Sequence, residues 1–323
     1  MSSGDRIRGA FAGLAIGDAA GWPSARHRSA LLAPWSRRLE RELDAFAEEH
    51  ALTTLPVPFA LNQPVGPLAI GPSDDAEWLA WTALTVHEDR EAAFLRLAGR
   101  SDLRTRISVR TALANLAAGK RPPASGHDNP HHFDDAAAVR AVAFGAAGVD
   151  PRADASVTNA LDGVLAAAAM AAAVAELVSG APMSSAVAAA LAELPDETAI
   201  GHATRTALTV ARAAGDPFAA VPALDAALLD HVYSYGVAAA QTVAVALALA
   251  EVSEGALALA VPAAACLPSL ADSAPALTGA LTGAATGYDA LPPGWRAATR
   301  TLAGCGLPDL AGADIIDIAG GLA

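Results

Sequence analysis

The stretch DSAPALTGALTGAATGYDALPPGW, residues 272–295, decides how this chain folds. Gly279, Gly283 and Gly287 recur every four residues, so on a helix they share one face and strip it of side chains. A glycine inside a helix costs about 1 kcal/mol relative to alanine, so three in register point to a geometric demand: a second helix backbone packed very close. The start of the same stretch reads as a helix beginning. Ser273 offers a capping hydroxyl, Asp272 a carboxylate beside it, and Pro275 a residue that only a first turn tolerates well.

Working outward, the chain looks the same from end to end. It has 323 residues, 53% hydrophobic but only 5% aromatic, and the apolar content is chiefly alanine with leucine and valine. That composition lets helices approach closely and carries little strand signal. With no long polar linker, residues 1–323 read as one all-α, multi-helix domain. The expected helices are a first one ending near Gly17-Asp18, a charged one over 37–50 (RRLERELDAFAEEH), then about 75–90 and 91–118. After a polar loop at 119–133, helices resume from Asp134-Asp135 and at 160–178, 184–194, 200–214, 222–230, 235–253 and 274–287.

The formal charge of −13 excludes a protein that coats nucleic acid or an anionic membrane, because the phosphate attraction behind such binding becomes repulsion. The N-terminal apolar stretch is broken by Asp18 and thinned by glycines, so it does not read as a signal peptide. The longest uncharged run, Val232 to Ala250, carries tyrosines, Ser234, Gln241 and Thr242, and reads as an interior helix rather than a membrane span. Cys266 and Cys305 form no disulfide framework and match no metal spacing, which together with the rest gives a cytoplasmic expectation.

The second stretch with chemistry is GPSDDAEWLAW, residues 71–81. Ser73 is a good N-cap, and Asp74 and Asp75 in a first turn are stabilised by the helix dipole, so capping alone accounts for them. The same hydroxyl and two carboxylates can also converge on a hard divalent cation, given a second acidic helix start, which Asp272-Ser273 supplies. Trp78 and Trp81 read as core. HDNPHHFDD, residues 127–135, offers His127, Asp128, His131, His132 and Asp134, but its composition suits a solvated loop.

These stretches together resemble the ADP-ribosylglycohydrolase family. RIRGAFAGLAIGDAAGWP is similar to its opening helix and GDALG-type turn, and PSDDAEW to its TDDT motif. DAAAVRAVAFG at 135–145 is similar to its NGAAMR segment and VTNALDGVLAAAAMAAA at 157–173 to its TH-x-DP helix. SYGVAAAQTVAVALALA at 234–250 and the closing 272–295 are similar to its last motifs, glycine ladder included. The likeness covers nearly the whole chain, in order.

The resemblance implies an orthogonal all-α fold whose cleft holds magnesium or manganese and an ADP-ribose-like small molecule or ADP-ribosylated substrate. Carried over by position, Ser73, Asp74 and Asp75 stand for TDD, and Asp272 and Ser273 for the last two residues of DTDT, giving the implied metal set. Asp74, Asp75 and Asp272 are the implied catalytic carboxylates, and Asp135, Asn159, Gly236, Ser273 and Gly279 the implied ligand contacts. The pattern also departs from the family's. The first aspartate of DTDT falls on Leu270, a glutamate after the first helix on Ala25, the last threonine of TDDT on Ala76, the asparagine and glycine of NGAAMR on Asp135 and Ala136, and the histidine of TH on Asn159. Glu40 and Glu42, near the lost glutamate, suit a solvated helix face. The reduced set implies one ion in place of two, or none. Three functions follow: a hydrolase cleaving an N- or O-glycosidic bond to ADP-ribose or a related ribosyl group, a member that binds ADP-ribose or nucleotide without cleaving it, and a structural or partner-binding protein.

Overall fold

The structure, a computed structural model, describes residues 1–21, 71–229 and 235–323. The expected helix over 37–50, most of the loop over 53–72, and Ala25, Glu40 and Glu42 lie outside the described residues.

Within them every long element is helical, and the only strand-like pairings are two isolated bridges, Asp134 to Ala238 and Thr301 to Asp314. In chain order the helices are α1 (Ser3–Gly21), α2 (Asp74–Thr85), α3 (Arg90–Leu95), α4 (Ile107–Ala117), α5 (Ala124–His127), α6 (Ala136–Ala147), α7 (Arg152–Thr158) and α8 (Asp162–Ser179). They continue as α9 (Met183–Ala192), α10 (Ala199–Ala214), α11 (Pro217–Leu228), α12 (Ala239–Val252), α13 (Leu257–Ala265), α14 (Ala274–Thr286), α15 (Pro293–Thr299) and α16 (Ile315–Gly320). The fold is the all-α one expected.

The glycine ladder of α14 meets a second ladder in α1. A β-carbon built on Gly13 would lie 2.0 Å from the Gly279 carbonyl oxygen, one on Gly9 2.3 Å from that of Gly283, and one on Gly17 1.9 Å from that of Pro275. Rising numbers on α1 meet falling numbers on α14, so the two helices run antiparallel at backbone contact. Only residues without a side chain fit such a seam. This packing also carries α1 past its expected end near Gly17-Asp18, since Gly21 still meets Ala271 across the seam.

The largest departure from expectation falls between residues 91 and 118. In place of one helix there are two, α3 and α4, because Gly99 takes a left-handed φ of +81° and the chain then runs without regular structure to Arg106. The apolar α8 is the one described helix both long and apolar enough to cross a membrane, and it packs between α6 and α9, with Ala166, Ala167, Met170 and Val174 buried.

Candidate functional site

The seam places the end of α1 beside the start of α14, and the starts of α2, α4 and α6 close around the same point. Helix N-termini present unsatisfied N–H groups and a partial positive charge, which favours carboxylates in their first turns. Asp75 lies in the first turn of α2, Asp135 is the residue just before α6, and Asp272 stands two residues before α14.

The start of α2 is held from outside. Asp18 of α1 accepts hydrogen bonds from the Ser73 amide at 2.6 Å, the Ser73 hydroxyl at 2.9 Å and the Ala76 amide at 3.2 Å. The expectation that Ser73 caps α2 is thereby corrected: its side chain makes no capping bond, and Asp18 satisfies the helix start in its place. Ser273 does not cap α14 either. Its Oγ donates to Asp75 Oδ2 at 2.8 Å, which ties the two acidic helix starts together.

At the centre stands a residue the motifs do not predict. Arg106, the residue before α4, points its guanidinium into the carboxylates: Nη1 donates to Asp272 Oδ2 at 2.5 Å and Nη2 to Asp75 Oδ1 at 2.8 Å, while Nε lies 3.2 Å from Asp135 Oδ1. Nη2 also donates to Ser273 Oγ. The side chains of Arg106, Asp75 and Asp135 are 8%, 3% and 0% exposed, and that of Asp272 20%. Burial pushes the Asp75 carboxyl up to about 6, against the lowering effect of Arg106 and with help from Asp74 and Asp272. Burial likewise drives Asp135 well above the usual carboxylate range. Burial alone would lower Arg106, but Asp135, Asp75, Asp272 and Asp74 hold it firmly protonated.

This donor set does not fit a divalent cation. A hard cation needs several oxygen lone pairs directed at one point, and here a fixed cation already takes them. Among the described residues, no group of three or more histidine, cysteine, aspartate or glutamate side chains is disposed to hold a metal.

Of the other implied ligand contacts, Asp135 belongs to this cluster and is positioned by its own backbone: its amide donates to the Val237 carbonyl, beside the Asp134–Ala238 bridge. Asn159 does structural work. Its amide group donates to the carbonyls of His132 and Asp134 and to Asp134 Oδ1, and its Oδ1 accepts from Thr158. Gly279 is spent in the α1 seam, and Gly236 packs where a β-carbon would meet the Ser269 carbonyl at 2.0 Å. Trp78 is core as expected, while Trp81 is only half-buried against it; the two rings meet edge to face at 5.4 Å and both lie against Phe94. In the histidine loop, His127 is exposed, His132 Nδ1 bonds the Asn129 carbonyl, and His131 rests 4.5 Å from the Tyr235 ring.

Arg106 is delivered by a relay that starts in the SDDAEW motif. The carboxylate of Glu77, fully buried, accepts from the amides of Cys305, Gly306 and Leu307 at 2.7–2.8 Å. The Gly306 carbonyl then accepts from the Arg104 amide at 3.0 Å, fixing the connecting segment two residues before Arg106. Asp18 falls inside the motif similar to the GDALG-type turn and is findable there. Arg106 and Glu77 leave no signature of their own.

Above the cluster lies a cleft of about 380 Å³, lined in part by Asp74, Asp272, Arg104, Arg106, Arg110 and Tyr235. That volume suits a small ligand. It offers guanidinium groups for anionic oxygens, carboxylates for hydroxyls and one aromatic ring.

The sequence profile described as ADP-ribosylglycohydrolase matches residues 1–322. Among curated proteins none matches. Among solved structures the chain is similar to an "ADP-ribosylglycohydrolase-related protein complex", at 19% identity and a TM-score of 0.60, covering 99% of this chain and 98% of that one.

Proposed function

Starting from a chain that belongs to the ADP-ribosylglycohydrolase family, a group of glycosyl hydrolases, we propose that its cleft binds an ADP-ribose-like nucleotide and holds it without metal-assisted cleavage. The observation that carries this reading is the buried Arg106 guanidinium bonded to Asp75 and Asp272 and paired with Asp135. Metal ions in a hydrolytic site polarise the scissile group and lower the pKa of a bound water. A guanidinium donates hydrogen bonds and supplies charge, but it does not activate water in that way. What it retains is recognition. Arg104 and Arg110 on the cleft wall suit a diphosphate, Tyr235 suits a base, and Asp74 and Asp272 suit ribose hydroxyls.

Calorimetry with ADP-ribose, run beside an assay for ADP-ribose released from ADP-ribosylated arginine and serine peptides, tests this. Saturable binding with no release, with or without magnesium, is the expected result. Release that depends on added magnesium or manganese overturns it.

A second reading is favoured by Asp75. A carboxyl lifted to about 6 exchanges protons near neutral pH, and with Asp74 and Asp272 on the cleft it supports general acid and base work on a glycosidic bond. Under that reading release is insensitive to chelator and falls in Asp74→Asn. If neither nucleotide nor turnover is detected at millimolar concentration, a structural or partner-binding role remains.

A further inference from the structure

We infer that Arg106 is a built-in cation that closes the carboxylate cluster to divalent metals. Asp75, Asp135 and Asp272 come from three different helix starts, and without a positive charge between them three buried or half-buried carboxylates would repel one another. Besides taking up protons at Asp75 and Asp135, such a cluster can be held ionised in two ways: around a hard cation with oxygen ligands, or around a guanidinium whose donors match carboxylate geometry.

The chain takes the second way, and the surroundings are built for it. Nη1 and Nη2 each meet a carboxylate, and Ser273 Oγ accepts from Nη2 while donating to Asp75 Oδ2. The backbone is fixed just upstream, at Arg104, by the Gly306 carbonyl. The positive charge at this point is therefore covalently part of the chain, independent of metal supply and of pH across the physiological range. This inference does not depend on nucleotide binding, because metal affinity is read separately.

The test compares the intact chain with Arg106→Ala, Arg106→Gln and Arg106→Lys, following free Mn²⁺ by electron paramagnetic resonance and the melting temperature with and without millimolar Mg²⁺ or Mn²⁺. The wild type and Arg106→Lys, which keep the charge, leave free Mn²⁺ and the melting temperature unchanged. Arg106→Ala and Arg106→Gln, which remove it, expose the carboxylates and bind Mn²⁺ roughly tenfold or more tightly than the wild type, with a metal-dependent rise in melting temperature. Arg106→Gln keeps most of the side-chain volume, so it reports even where Arg106→Ala fails to fold. Should both neutral variants fail without metal, refolding rescued by Mn²⁺ supports the inference and failure to be rescued overturns it. Saturable Mn²⁺ binding by the wild type, or a folded neutral variant that gains no Mn²⁺ affinity, also overturns it. Loss of ADP-ribose binding without any change in metal affinity would count against Arg106 as the metal's replacement while leaving the nucleotide reading standing.

Discussion

Gly13 and Gly279 face each other at backbone contact: a β-carbon on either would lie 2.0 Å from the other's carbonyl oxygen. No rotamer change relieves such a clash, because the obstructing atom is backbone. Gly13→Ala and Gly279→Ala are each expected to lower stability by about 3 kcal/mol or more, the upper end of what overpacking costs. Gly320→Ala is the control. It lies at the end of α16 with nothing within 4 Å of a new β-carbon, and should be neutral or stabilising by up to about 1 kcal/mol. Urea unfolding of the three variants checks the contrast. A Gly13→Ala protein as stable as wild type would mean that the helices are not at backbone contact.

Asp154 carries two buried guanidinium groups. Its Oδ1 accepts from Arg90 at 2.8 and 3.0 Å and its Oδ2 from Arg140 at 2.7 Å, and all three side chains are 6% exposed or less. Aromatic faces supply part of the remaining solvation: Arg90 lies 5.2 Å from the Trp81 ring centroid and Arg140 5.1 Å from that of Phe94. Removing the one carboxylate strands two buried cations, so Asp154→Ala should cost roughly 3–5 kcal/mol. By contrast, Glu88→Ala, which breaks an exposed pair with Arg96, should cost about 0.5 kcal/mol or less. Chemical denaturation of both variants decides it, and equal losses would refute the claim that burial sets the difference.

Asp75 gives a pH dependence with a definite sign. Burial, opposed by Arg106, raises its carboxyl from the usual 3.8 to about 6, so the folded state binds this proton more tightly than the unfolded chain does. Between those two values the folded state holds more protons, so stability falls as pH rises; the contribution is full below about 4 and lost by the time pH has passed 6. The magnitude is on the order of 2–3 kcal/mol. The melting temperature is therefore expected to drop from pH 5 to pH 7.5 by more in wild type than in Asp75→Asn, which has no carboxyl to ionise. Indistinguishable pH slopes would refute the assignment to Asp75.

How much of this is legible in the sequence depends on how local each cause is. The ladder in α14 is legible because its four-residue period lies within one helix, and Gly9, Gly13, Gly17 and Gly21 carry the same period in α1. Reading the two together would locate the seam and the acidic helix starts it brings side by side. The SDD stretch is equally local, and its Asp74 lies on the cleft wall. The break at Gly99 is harder, since one glycine inside an otherwise helical pattern is tolerated more often than it ends a helix. Arg106 is not legible at all: in SDLRTRISVRT nothing separates it from Arg104 and Arg110, and its role exists only because α2, α6 and α14 bring carboxylates to it. Asn159 misleads in the opposite way. It sits at a position the resemblance marks for ligand, but its side chain is consumed by the loop before α6.

Glu77 provides the last prediction, because it links the SDD helix to the segment that delivers Arg106. Its carboxylate accepts from three successive amides, Cys305 to Leu307, and is fully buried. Glu77→Gln weakens the acceptor and adds two donors where only acceptors are wanted, leaving buried N–H groups short of partners at a cost of about 1–3 kcal/mol each. We expect a total loss of roughly 2–4 kcal/mol. The effect should also spread: with the 305–307 loop loosened, the bond from the Arg104 amide to the Gly306 carbonyl opens more often. Hydrogen exchange reads this directly. Faster exchange is expected at 305–307 and at Arg104, with amides in the α1–α14 seam, such as those of Phe11 and Leu281, slowed or quickened only in proportion to global stability. Faster exchange at 305–307 with Arg104 unchanged would show that the loop does not hold the arginine segment, and that Arg106 is positioned by its aspartate partners alone.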